Sequence, residues 1–459
     1  MPKTNIFFIS VDSLRADEFY GPSKGSLTPN FDKLIKQGVY FDQTISSGDA
    51  TFVSWIGMFT GKHPFKVRNR SSKLSKLNKN AETYFDILKK EGYHFYSFLP
   101  PSAKALGLFP KFENDECYTE IPKFSDTFDK KIKNFLSSHK KEPWMCFVHT
   151  FNLHFPVRTP NGFEDEQFGI NNYEKQISSI DNSIGKLIEL IDLNNTLVIL
   201  SADHGVYFQT VQLDDKKLNY ETKGDLQHLA IKVTSKVPKS LHSTKTKLFL
   251  TLEKIKKKKR LKDIHNLNLK PHQLRGLLHQ RSNTDKFLYD DLVHVPLLLL
   301  GSGINAGKII SQQVRLIDLF PTICDLLRIK NPIDIDGKSI IPLIDGKRLE
   351  EFPAYFESSP MIQIKSNDVI GIRTSKYKYF RDRHDKKKRI FLFDLEKDPY
   401  EDNNIINNEK SVDEMEKVLN EITYGGSLLS NTYTTNESDK IDETFSENIE
   451  DELKKMGYV

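Results

Sequence analysis

The chain predicts an α/β fold: a large, mostly parallel central sheet flanked by helices, with a small antiparallel sheet near the C-terminus. Three observations carry that prediction. Short continuous apolar runs such as Asn5 to Val11 and Thr196 to Ala202 read as strands buried on both faces. Amphipathic helical stretches alternate with them. Acidic or imidazole residues, Asp12 and the pair Asp203–His204, directly follow two of the runs, where an α/β sheet presents its ligands.

After the first strand, Thr28 to Gly38 has a capping Thr, a Pro in the opening turn, apolar residues at helical spacing and a terminal Gly, and predicts a short helix. Glu82 to Glu91 repeats the pattern ahead of a strand at His94 to Leu99. Pro143 to His149 reads as a further strand, and Tyr173 to Asp192 as a helix with Ile177, Ile180, Ile184, Leu187 and Ile191 on one face. The alternation breaks after His204. Residues 206–283 are basic, carry the run Lys256 to Arg260 and five histidines, and predict an inserted, partly helical lid with solvated cations. The core resumes with a strand over Val295 to Leu300 and a helix over Val314 to Arg328. From about Glu350, strands at Val369–Arg373, Tyr377–Phe380 and Arg389–Asp394 predict the small antiparallel sheet. Residues 425–444, rich in Ser, Thr, Asn and Asp, predict a mobile stretch before a closing helix. The expected division is 1–349 for a catalytic domain and 350–459 for a subdomain and tail.

A chain of 459 residues suffices for one large core with an appended unit. With 38% hydrophobic and 28% charged residues it is polar without being disordered, and a net charge of +5 suits an anionic substrate without implying nucleic acid. Three separated cysteines make a disulfide framework or cysteine zinc site improbable. No apolar run nears the ~20 residues that span a bilayer, and Met1-Pro-Lys-Thr leads straight into the first strand. A cytoplasmic location is expected.

Asp12, Asp203 and His204 form an oxygen and nitrogen set suited to one divalent cation, with Ca²⁺, Mg²⁺, Mn²⁺ and Zn²⁺ not distinguished. Thr51 opens the helix-entry segment Thr51 to Pro64. If its hydroxyl joins that set, the cation would turn a poor nucleophile into an effective one and polarise an anionic ester. His149 and His154, at a strand end, would protonate the leaving group or hold ester oxygens, or be satisfied core histidines.

In this order the motifs resemble the sulfatase family of the alkaline phosphatase superfamily. Val11 to Asp17 is similar to its opening metal segment, Thr60-Gly61-Lys62-His63-Pro64 to the end of its nucleophile segment, and His149 to Pro156 to its central histidine segment. Ser201 to Gly205 resembles its second metal segment, and Arg315 to Thr322, Asp336-Gly337 and Phe393 to Pro399 its later landmarks. The resemblance implies an alkaline phosphatase-like sandwich, Asp12, Thr51, Asp203 and His204 around a metal, His154 beside it, and Lys286 as a cation that stabilises developing charge. Arg15 would bind substrate or anchor the first loop, the structural role being the expected one. Two departures matter. The family pattern C-x-P-S-R, whose first residue becomes formylglycine, reads here Thr51, Phe52, Val53, Ser54, Trp55, so the aldehyde cannot form and a Thr nucleophile acting on phosphorus is favoured over sulfate. Ser13 stands where many members have an Asp ligand. The expected function is a metal-dependent hydrolase or transferase of a phosphate or sulfate ester. The alternative is a catalytically silent protein that binds an anionic glycan or lipid headgroup.

Overall fold

In the computed structural model, the described residues are 3–424 apart from 71–74, 79–80, 120–121, 139, 208, 214–216, 221–250, 252–254, 279–285, 306, 333 and 360–366. The expected mobile stretch over 425–444, the closing helix and much of the basic insert lie outside them.

The large sheet has eight strands: β1 (Asn5–Val11), β2 (Val39–Ile45), β3 (His94–Phe98), β4 (Trp144–Thr150), β5 (Thr196–Ala202), β6 (His294–Gly301), β7 (Lys308–Ile310) and β8 (Val314–Arg315). Their spatial order is β7-β2-β6-β5-β1-β4-β3, with β8 also against β2. Only β6 runs against its neighbours. Strands β1, β4 and β5 are buried along their whole length, which is why each reads as an unbroken apolar run instead of an alternating one. The second sheet is antiparallel, in the order β9 (Ala354–Glu357), β10 (Val369–Arg373), β11 (Tyr377–Asp382), β12 (Phe391–Asp394).

Helix α1 (Pro29–Gln37) forms where expected, but its cap is not the one the sequence suggests. Thr28 makes no capping bond with its side chain. Instead Asp181, on the helix α5 (Asn172–Ile188) alongside, accepts from Asn30 N at 3.2 Å and Phe31 N at 2.6 Å, so one helix satisfies the open amides of the other. Asp181→Ala is expected to lower stability by about 1–2 kcal/mol, read from the urea midpoint, with Asp181→Asn losing less because it keeps an acceptor oxygen. Gly38 serves close approach: a Cβ there would lie 2.5 Å from Leu299 O on β6.

The helix expected over Val314 to Arg328 is corrected to a strand, a turn and a shorter helix. Val314 and Arg315 pair with Thr44 and Ile45 of β2. Asp318 then accepts from Arg315 N at 2.8 Å and from its guanidinium at 2.7 Å, locking a 3₁₀ turn before the helix Leu319–Leu326. The helix Glu409–Tyr424, not anticipated, covers the small sheet with Met415 and Leu419 against Tyr355, Ile372 and Leu392. Within the described part of the insert, residues 255–264 are helical with Lys256, Lys258 and Lys259 exposed. The helix Pro271–Leu278 docks through His272 on Asp402 (2.8 Å) and Arg275 on Asp291 (2.9 Å).

Candidate metal and nucleophile centre

The register of three parallel strands builds the centre. Ser10 on β1 pairs with His149 on β4 and with Ser201 on β5. Side chains alternate faces, so Asp12 and Asp203, each two residues further on, share the face of Ser10, His149 and Ser201. His149 therefore faces the two carboxylates from the neighbouring strand, one step lower in the sheet. The ligand atoms of Asp12, His149 and Asp203 all lie within 4.8 Å of one another, and all three residues are buried.

Each carboxylate spends one oxygen on adjacent hydroxyl or amide donors and keeps the other for the centre. Asp12 Oδ1 accepts from Ser13 Oγ at 2.5 Å. Asp203 Oδ1 accepts from Ser13 N at 3.2 Å and His204 N at 2.8 Å. The inward Asp203 Oδ2 then stands 3.9 Å from His149 Nε2 and 3.7 Å from His204 Nε2, and Asp12 Oδ2 stands 3.8 Å from His149 Nε2. These spacings are too long for hydrogen bonds. His149 Nε2, His204 Nε2 and Asp203 Oδ2 are buried without a partner. Orphaned buried groups of this kind are costly, and one divalent cation among them would satisfy all of them.

The imidazoles are prepared for it. His204 Nδ1 donates to Gly205 O at 2.7 Å, which turns Nε2 toward the centre. Burial holds the His149 pKa below its ordinary value, against the opposing pull of Asp203 and Asp12, so its ring is neutral. Its Nδ1 meets Ser10 Oγ at 3.2 Å. Strand register decides which way His149 points, and it sets the ring beside the two inward carboxylate oxygens.

Thr51 is the first residue of the helix α2 (Thr51–Thr60), 5% exposed, and its Oγ1 donates to Asp12 Oδ2 at 3.3 Å. The N-cap, Ala50, offers no side-chain acceptor, so the opening amides of α2 are free to meet an anion. The approach to Thr51 is fixed from two sides. Ser46 Oγ donates to Asp203 O at 2.5 Å. From the small sheet, Glu357 N donates to Ser47 O at 3.0 Å and Ser359 N to Asp49 Oδ1 at 2.6 Å. Trp55, one turn into the helix, stands edge-on to His149 with ring centroids 4.6 Å apart.

His154 is buried just beyond β4 with its ring 5.3 Å from Phe151, outside the three-ligand group. Lys286 reaches the loop before α2, with Nζ 3.9 Å from Asp49 Oδ2. Arg15 pairs with Asp291 at 2.7 Å and Asp17 at 2.6 Å, the anchoring role expected of it.

Sequence reasoning missed Lys123. Phe151 N donates to Pro122 O at 2.7 Å, and Phe124 N to Asn152 Oδ1 at 2.6 Å, so residues 122–124 are clamped onto the chain leaving β4. The half-buried Lys123 amine has its pKa lowered by burial and by Arg158, against the pull of Asp12. An amine that feels the charge of Asp12, on a chain clamped to the end of β4, is a candidate to meet the oxygens of an anionic ester. Lys123→Ala is expected to raise KM about tenfold, the loss of one charge-assisted hydrogen bond, with a smaller effect on kcat in steady-state kinetics.

The sulfatase family profile matches residues 4–329, and that of the N-sulphoglucosamine sulphohydrolase C-terminal region matches 280–424. The chain belongs to the sulfatase family. It is 22% identical over 438 residues to a Δ4,5-hexuronate-2-O-sulfatase of Bacteroides thetaiotaomicron, covering 89% of this chain and 85% of that one. It is 32% identical to human arylsulfatase K (Homo sapiens) over 124 residues, only 26% of this chain and 23% of the other. Among solved structures, a phosphonate monoester hydrolase of Agrobacterium radiobacter superimposes with a TM-score of 0.62 at 14% identity, over 92% of this chain and 96% of that one. A protein solved with its substrate D-glucosamine-2-N,6-O-disulfate gives 0.61 at 15%, over 92% and 98%. The fold is thus that of the alkaline phosphatase superfamily, and this sulfatase-family chain is an ester hydrolase, which disfavours the silent binding protein. Among the described residues no helix is long and apolar enough to cross a membrane.

Proposed function

We propose that this member of the sulfatase family cleaves or transfers an anionic ester with Thr51 as nucleophile and one divalent cation held by Asp12, Asp203, His204 and the Thr51 hydroxyl, phosphorus esters being preferred over sulfate esters. The observation that carries the reading is the 3.3 Å contact from Thr51 Oγ1 to Asp12 Oδ2 at the start of α2. A cation bound there would lower the pKa of the hydroxyl and draw charge from an ester oxygen. Thr51 Oγ1 gives up its proton toward Asp12 Oδ2 and attacks the phosphorus or sulfur atom. The bond to the leaving oxygen breaks, that oxygen takes a proton from His154, and the group remains as an ester of Thr51. Water, or an acceptor alcohol, then gives a proton to His154 and attacks, and the Thr51 oxygen leaves with the proton that Asp12 Oδ2 received. Lys123, Lys286 and the opening amides of α2 hold the non-bridging oxygens while charge grows on them.

The preference for phosphorus rests on the residue itself, since a threonine side chain cannot become the formylglycine that sulfatases with Cys or Ser use. The glycan-directed names among the relatives leave open a sulfated or phosphorylated sugar as the carrier. The test is a panel of aryl phosphate mono- and diesters, phosphonate monoesters and sulfate esters, run with each cation and quenched for mass spectrometry. Turnover of a phosphorus ester with a phosphoryl adduct on the peptide containing Thr51 is expected. Turnover confined to sulfate esters would remove the phosphorus preference, and turnover with an adduct on another residue would remove Thr51.

A further inference from the structure

We propose that His149 takes the ligand place that Ser13 leaves, so that two imidazoles and two carboxylates face the cation and the site selects a zinc-class transition ion over calcium or magnesium. The inference deepens the proposed function, resting on its single cation site, and it fixes which ion that site takes.

Ser13 is turned away from the centre. At φ 63° its hydroxyl meets Asp12 Oδ1 and its amide meets Asp203 Oδ1, the outer oxygens of both carboxylates. The place it leaves is filled from beneath. His149 Nε2 faces both inward oxygens, at 3.8 and 3.9 Å, and has no hydrogen-bond partner. Its ring cannot easily swing aside: Ser10 Oγ holds Nδ1, Trp55 stands edge-on at 4.6 Å, and Phe151 at 5.0 Å. Trp55 occupies the position at which the family pattern carries an arginine. An indole brings no positive charge beside His149, whereas a guanidinium would repel a cation there.

Donor chemistry then chooses the ion. Calcium takes six to eight oxygens, and magnesium keeps its waters in a strict octahedron, while imidazole suits zinc, iron, nickel and copper.

Binding to the chelator-stripped full chain tests this, with zinc, manganese, calcium and magnesium titrated calorimetrically and cobalt(II) read by its visible absorption. One equivalent of zinc is expected, held at least about a hundredfold more tightly than calcium. His149→Gln should weaken zinc by more than about a hundredfold, beyond the loss usual for an outer-shell partner, and should bleach the cobalt band while calcium binding changes little. Adding Ser13→Asp to that variant should restore binding with a preference moved toward calcium and manganese. Calcium bound more tightly than zinc by the unaltered chain would overturn the inference, as would unchanged zinc affinity and cobalt spectrum in His149→Gln. Should His149→Gln not fold, the selectivity of the unaltered chain decides alone. The two readings fail separately: retained turnover in Thr51→Ala removes the nucleophile and leaves the ion preference standing, and a calcium preference does the reverse.

Discussion

Thr51→Ala is expected to lower kcat/KM on the best phosphorus ester by about 10⁴-fold or more, the scale on which removal of an activated nucleophile is felt. The change removes the proposed attacking oxygen, a buried hydroxyl that donates to Asp12 Oδ2, and it leaves helix α2 intact because alanine is a good helix former. Asp12, His149 and Asp203 remain in place to hold a cation, so thermal stabilisation by added divalent ion should persist. Thr51→Ser keeps the oxygen and should retain measurable turnover, losing chiefly the packing of the methyl group. A Thr51→Ala protein that still turns over the substrate within tenfold of the original would show that a water or another side chain attacks directly.

The parts of this centre that were legible in the sequence are those set by local pattern. Asp12 and Asp203 follow apolar runs that could only be fully buried strands, and Thr51 opens a segment whose helical character is plain. His149 was found but its direction was not, because that depends on the pairing of Ser10 with His149 across two strands far apart in the chain. Lys123 carried no signal at all, since only the bonds of Pro122 and Phe124 to residues 151 and 152 bring its segment to the end of β4. The same physics explains the misreadings of the fold. Val314 and Arg315 have helical neighbours, and only the edge of β2 makes them a strand. Helix α1 carries a cap-like Thr28, yet a carboxylate on α5 reaches its amides first. Helix Glu409–Tyr424 was legible from its own spacing of Met415 and Leu419 and went unread beside the more prominent strands.

Asp203→Asn carries the other large effect, and its sign on stability should reverse with the cation. The amide oxygen can still accept from Ser13 N and His204 N, as Asp203 Oδ1 does, so the local backbone is preserved. The inward position becomes an NH₂ group, which cannot ligate. Without a divalent ion the original protein buries two carboxylates whose ligand atoms lie within 4.8 Å of one another, and neutralising one relieves that repulsion. In chelator the variant should therefore melt at the same temperature as the original or higher. With cation at a hundred times its dissociation constant, the original gains about 2.7 kcal/mol and the variant gains almost nothing, so the order of melting temperatures inverts. Turnover should fall by about 10³-fold or more, as expected when the group that lowers the nucleophile's pKa is lost. Melting curves recorded in chelator and in each divalent ion decide the matter: a variant that keeps the full ion-dependent rise would place the cation away from Asp203.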